Sequence, residues 1–189
     1  MGQAIVVMGV SGAGKSRVGE ALAGRLGLRF VDADSLHDAA AVAKMRRGVA
    51  LTDDDRWPWL DRVGATLAGP QAASDATNAQ GVVVACSALR RIYRDRLRQA
   101  CSGLRFVFLD GEVGLIELRM RERQGHYMPV ALLRSQMQAL ERPGADEADV
   151  LRVDIALAVE DIVDQAARNL TLQQGRTIAT PGTPSTELP

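Results

Sequence analysis

Residues 9 to 16 read Gly9-Val10-Ser11-Gly12-Ala13-Gly14-Lys15-Ser16, a full G-x-x-x-x-G-K-[ST] match. Glycines admit backbone conformations that a Cβ forbids, so successive N–H groups can turn inward as an anion nest. A helix starting at the same place aims its positive end at that anion. Gly9 to Ser16 are therefore expected to hold the phosphates of a nucleoside triphosphate, with Lys15 reaching the β/γ-phosphates and the Ser16 hydroxyl ligating Mg²⁺. The alternative is a glycine-rich turn with an incidental lysine, and the strand before and helix after argue against it.

Further candidates follow other apolar runs. Asp32-Ala33-Asp34-Ser35-Leu36-His37 carries two carboxylates two residues apart. They point the same way if the chain is still extended there. One would hold the metal's water shell and the other accept a proton from an attacking hydroxyl; spacing does not say which. The same residues also suit a cap, with Asp34 or Ser35 opening a helix from Leu36 onward. Trp57 and Trp59, both tryptophans of the chain, lie near Lys44 and Arg56 and suit a pocket for a polar, anionic small molecule. Pro58 is expected in the first turn of its helix. Ser87 is a plausible helix cap, Arg90 would stand in the first turn, where the dipole disfavours a cation, and Arg94 and Arg98 are expected to be solvated. Arg119 and Arg123 share a helix face at i and i+4. They lead into Gly125-His126-Tyr127-Met128-Pro129, as a lid would that brings positive charge over a transferring phosphoryl group.

These residues need a scaffold that gathers loop ends. Apolar runs over 4–8, 81–86 and 104–109, with weaker ones over 28–31 and 151–155, read as strands buried on both faces. Helical patterns cover 16–26, 56–67, 87–100, 113–124, 130–140 and 160–170. The alternation predicts an α/β doubly wound parallel sheet of about five strands flanked by helices, whose ligands sit beyond the strands' carboxyl ends. One domain over 1–172 is expected, with a lid near 119–137 and a disordered tail over 173–189, rich in Thr, Pro and Gly.

Composition narrows the partners. With 23 acidic and 23 basic side chains among 189 residues, the chain has no net charge to favour nucleic acid or an anionic membrane. No apolar run reaches the length of a membrane span, and Met1 leads into a strand with no room for a secretory signal. Cys86 and Cys101 are too few for a disulfide framework, in keeping with a cytoplasmic protein. There is no Asn-Lys-x-Asp run and no Asp-x-x-Gly after the third strand, so a guanine-nucleotide switch protein is disfavoured.

Together GVSGAGKS, DADSLH, AKM, LTDDDRWPWL, VVACSALRRIYRDRLR, FLDG and the run Arg119 to Pro129 resemble the gluconate kinases, P-loop relatives of shikimate and nucleoside-monophosphate kinases. The resemblance spans about Ala4 to Ile162. It implies ATP- and Mg²⁺-dependent phosphorylation of the 6-hydroxyl of D-gluconate by a homodimer. By the same resemblance Asp34 meets the acceptor hydroxyl, which leaves Asp32 to join Ser16 at the metal, and the lid arginine Arg123 is expected to serve catalysis beside Lys15. His37, Lys44, Arg56, Ser87, Arg90 and His126 fall in segments resembling the substrate pocket and lid. The chain departs from the family pattern at Arg17, at Asp38 to Ala41 and at Ala156 to Ala158. The other acceptors to weigh are shikimate and nucleotides.

Overall fold

A computed structural model describes residues 2–72, 81–122 and 130–177. Five parallel strands, β1 Gln3–Met8, β2 Arg29–Asp32, β3 Gly81–Ala85, β4 Arg105–Asp110 and β5 Val150–Asp154, form one sheet in the order β2-β3-β1-β4-β5. Around it lie α1 Lys15–Leu26, α2 Ala39–Arg46, α3 Asp53–Ala72, α4 Arg91–Ala100, α5 Val113–Glu122, α6 Val130–Ala139 and α7 Val159–Thr177.

Alternation along β1 divides the core in two. Ile5 and Val7 face a cluster with Val18 and Leu22 of α1, Ile116 of α5, Leu133 of α6 and Ile162 of α7. Ala4, Val6 and Met8 face the other side, with Leu60 and Val63 of α3 and Tyr93 and Leu97 of α4. The helix after β1 thus covers one face and the helix after β3 the other. Their loops diverge between adjacent strands, which opens the crevice where such sheets bind ligands. Val7 O accepts from Cys86 N–H at 3.0 Å and Ser87 O from Gly9 N–H at 3.3 Å, stitching the base of that crevice.

The five strands and six expected helices are all present, with shifted ends. Helix α3 begins at Asp53 because Thr52 and Asp55 cap it reciprocally: Thr52 Oγ1 accepts from Asp55 N–H at 3.3 Å and Asp55 Oδ2 from Thr52 N–H at 2.9 Å. Pro58 consequently falls in the second turn, beyond its expected place. It leaves the carbonyl of exposed Asp54 without a helical donor. Helix α2 starts at Ala39, three residues beyond the helix that Asp34 or Ser35 would open at Leu36, because Asp38 caps it, accepting from Ala41 N–H at 2.8 Å. Helix α7 continues to Thr177, and the rest of the expected tail, 178–189, lies outside the described residues. No described helix is long and apolar enough to cross a membrane.

Candidate active site

Residues 9 to 14 form the loop between β1 and α1, with Lys15 and Ser16 in the first helical turn. Gly14, at φ 97°, takes the left-handed position before the helix, and no side chain caps the turn among the described residues. An acidic residue is also absent there, so the helix end is left to attract an external anion. Gly12, at φ 83°, is packed from above by α5: a Cβ there would stand 2.7 Å from Met120 Cγ. Lys15 Nζ donates to Val10 O at 3.1 Å, so the lysine folds back over the loop it follows.

Ser16 Oγ donates to Asp32 Oδ2 at 2.7 Å, and the other oxygen, Oδ1, accepts from Asp34 N–H at 3.0 Å. The cap of the turn after β2 is therefore Asp32. Neither Asp34 nor Ser35, the expected caps, plays that part; Ser35 Oγ donates to Asp32 O at 2.6 Å. Residues 33 to 36 form a 3-10 helix, so Asp32 and Asp34 do not share an extended strand's face as their spacing predicted. The hydroxyl and carboxylate oxygens of Ser16 and Asp32 are hard ligands of the kind Mg²⁺ prefers, and that ion commonly completes its shell with water and phosphate oxygens. Among the described residues no three His, Cys, Asp or Glu side chains converge as a protein-only metal cage.

Asp34 is exposed at the mouth of the crevice. The charges of Lys15, Asp34 and Asp32 all act on the Cys86 thiol at the end of β3, although burial dominates there and pushes that thiol up to about 12. Cys86 is thus a buried, chemically inert thiol. His37 stacks on Trp59 with ring centroids 4.5 Å apart, and its buried Nδ1 has no hydrogen-bond partner among the described residues. Burial lowers the imidazole below its ordinary 6.5, with Asp34 opposing that shift. Trp59 in turn donates its indole N–H to Ala33 O at 2.7 Å, which ties the Asp32–His37 turn to α3.

Beside this lies a second group. Asp53, at the start of α3, accepts from Tyr93 Oη at 2.5 Å and from Arg90, and Arg56 lies 3.8 Å from it. Both guanidiniums stand against the Tyr93 ring, at 5.7 Å for Arg56 and 5.6 Å for Arg90. Arg56 also donates to Leu51 O at 2.6 Å. Hydrogen bonding from Tyr93 holds the Asp53 carboxyl below its ordinary value, against a small opposing effect of burial and with further help from Arg90. Lys44, expected at the pocket, donates to Asp55 Oδ1 at 2.6 Å and so joins α2 to the cap of α3. Arg90 is the N-cap residue of α4 rather than a first-turn residue, and Ser87 precedes the helix by four positions and caps nothing. The chain is diverted between them by Ala88 at φ 42°, the single non-glycine residue of positive φ among those described.

The largest departure from expectation is Arg94, which is buried at 1% exposure rather than solvated. It forks onto Glu147 through Nε at 2.7 Å and Nη2 at 2.6 Å, and its Nη1 reaches the carbonyls of Ala88, Leu89 and Glu141 at 3.1 to 3.3 Å. Arg98, also expected in solvent, donates to Glu147, Asp149 and Asp95. A buried guanidinium requires such saturation. The helix pattern did not reveal it because Glu147 is 53 residues away. Arg119 donates to Ile155 O at 2.7 Å, anchoring α5 beside β5. Arg123 and His126 lie outside the described residues.

The family model described as AAA domain matches residues 5–143. The thermosensitive gluconokinase of Escherichia coli K12 is 42% identical over 185 residues, covering 97% of this chain and 96% of its own length. The thermoresistant gluconokinase of the same strain is 43% identical over 158 residues, or 84% and 87% of the two chains. A crystal structure of a gluconokinase from Sinorhizobium meliloti 1021 superposes with a TM-score of 0.77 at 44% identity, covering 90% of this chain and 97% of that one.

Proposed function

The chain belongs to the gluconokinase family of P-loop kinases, and on that footing we propose that it transfers the γ-phosphoryl group of ATP to the 6-hydroxyl of D-gluconate. The observation that supports the site assignment is the pair of hydrogen bonds on Asp32, one from Ser16 Oγ and one from Asp34 N–H, which tie the loop that carries Lys15 on the nucleotide side to the turn that carries Asp34 on the acceptor side. Lys15 and Asp34 are the two charges that an in-line transfer between those sides needs.

In this reading the loop of residues 9 to 16 and the positive end of α1 hold the triphosphate. Ser16 and Asp32 hold Mg²⁺, which supplies charge neutralisation on the phosphate oxygens when bound. Asp34 accepts a hydrogen bond from the 6-hydroxyl, aims its oxygen at the γ-phosphorus and takes its proton as the new O–P bond forms. The bond from the γ-phosphorus to the β–γ bridging oxygen breaks, and Lys15 stabilises the charge that leaves with ADP. His37, stacked on Trp59 and within reach of the charge of Asp34, lines the acceptor side for gluconate. Arg56 and Arg90, gathered on Tyr93, provide the cationic side of the pocket for the carboxylate. Ser87, at the stitched end of β3, borders that pocket, while Lys44 serves it indirectly by fixing the start of α3.

Arg123 and His126 belong to the same proposal as lid residues, as do a homodimeric assembly and a cytoplasmic location. Steady-state turnover with ATP across gluconate, other aldonates, shikimate and nucleoside monophosphates tests the reading. Gluconate should be the preferred acceptor. Preference for shikimate or a nucleotide would overturn it.

A further inference from the structure

Helix α6 and the residue pair just beyond it touch both halves of the crevice. On the nucleotide side, Gln136 Oε1 accepts from Ser11 N–H at 2.6 Å, inside the phosphate-binding loop. On the acceptor side, Glu141 Oε2 accepts from Arg91 N–H at 2.7 Å, and its Oε1 lies 3.5 Å from Arg90 Nε. The Glu141 backbone is fixed there too: its N–H donates to Leu89 O at 2.9 Å and its carbonyl accepts from Arg94 at 3.1 Å. Leu133, just before Gln136, and Met137, just after it, share a helix face four residues apart and pack onto the core with α1 and α7. Leu140 packs against both core clusters.

This is a short, stiff connection. Gln136 stands in the last turn of α6, and only Leu140, packed on both clusters, separates that turn from the fixed backbone of Glu141, so a shift of the loop at Ser11 is passed on to Glu141 instead of being absorbed between them. At its far end the shift reaches Arg90, one of the two cations gathered on Tyr93. The Ser11 contact is a single hydrogen bond from a half-buried amide side chain, which makes it the one element of the connection that a substitution can remove without opening the core.

We propose that Gln136 is a positioning residue that couples occupation of the phosphate loop to the arrangement of Arg90, so that nucleotide and acceptor bind with positive cooperativity. The proposal rests on the reading above, in which the loop takes a triphosphate and Arg90 faces the acceptor. By linkage, each ligand must tighten the other by the same factor.

The test is calorimetric titration of the full chain with gluconate, with and without a saturating non-hydrolysable ATP analogue and Mg²⁺. In the unaltered protein the analogue is expected to tighten gluconate by about fivefold or more, the lower range of measured couplings. In Gln136→Met, which keeps length and helix propensity but loses the acceptor oxygen, that factor should fall close to one. Gluconate affinity without nucleotide and the melting temperature should stay near those of the unaltered protein. In steady state, the gluconate KM at saturating ATP should rise by the lost factor while kcat changes less. Gln136→Ala provides the same comparison if the Met variant folds poorly. A merely structural role would lower stability and leave the coupling factor intact, which overturns the proposal. So does an unaltered protein that turns over gluconate yet binds the two ligands independently. Failure of the unaltered protein to use gluconate at all would instead overturn the functional reading, and this proposal with it.

Discussion

The Ser16 hydroxyl donates to the Asp32 carboxylate at 2.7 Å, joining the first turn of α1 to the end of β2. Asp32 spends its other oxygen on the backbone of Asp34. One carboxylate thereby sets the places of both the proposed metal ligand and the proposed base. Ser16→Ala should therefore weaken use of Mg²⁺-ATP far more than binding of metal-free nucleotide. Titrating activity against Mg²⁺ and binding ADP in the presence of a chelator separates the two effects. Equal losses would mean that the hydroxyl serves only to hold Asp32.

Lys15→Ala should lower kcat by roughly a thousandfold or more, because it removes a cation aimed at charge that develops during transfer. The melting temperature should be nearly unchanged, since Lys15 contributes no core contact. Within the loop it donates to Val10 O. Wild-type turnover in this variant would remove the loop from the mechanism.

Asp34→Asn should lower kcat by about two orders of magnitude or more, the usual worth of general-base assistance. It keeps the shape of the side chain and one acceptor oxygen. ATP affinity should barely move, because Asp34 stands on the acceptor side and is exposed. If turnover persists while nucleotide binding falls, Asp34 belongs to the metal site and Asp32 becomes the candidate base.

Glu147→Gln tests the buried anchor of the acceptor side. Removing one charge of a buried pair costs about 3–5 kcal/mol, which for a domain of this size lowers Tm by roughly 10 °C. Burial alone would raise the Glu147 carboxyl from its ordinary 4.5. Hydrogen bonds and charge from Arg94 and Arg98 outweigh that and hold it at about 2. A depressed folded-state value stabilises the fold above the unfolded value and ceases to do so as pH falls through the folded one. The Tm gap between the wild type and Glu147→Gln should thus be flat above about pH 5 and narrow between pH 4.5 and 2. A gap that widens on acidification would contradict the ion-pair account.

How far the sequence exposed this site depended on how far apart its partners lie. Gly9 to Ser16 are consecutive, so their chemistry is visible as a string, and the strands around them are visible as apolar runs. Where one residue decides a local path, the pattern misleads: Ala88 at φ 42° separates Ser87 from the helix it was expected to cap. Three possible caps, Asp34, Ser35 and Asp38, stand within five residues, and only the three alanines after Asp38 mark it as the start of α2. Arg94 was beyond reach, since a basic face on a helix looks solvated until a partner 53 residues away closes over it. Gln136 likewise gains meaning only from Ser11, 125 residues earlier.

In the proposed reaction this crevice carries phosphate to the terminal hydroxyl of a sugar acid. Phosphorus and proton NMR of the product formed from ATP and D-gluconate tests it most directly. The expected result is one phosphomonoester whose phosphorus couples to the two C6 protons, formed in step with ADP. Phosphate on another carbon, or ADP released with no phosphorylated gluconate, would contradict it.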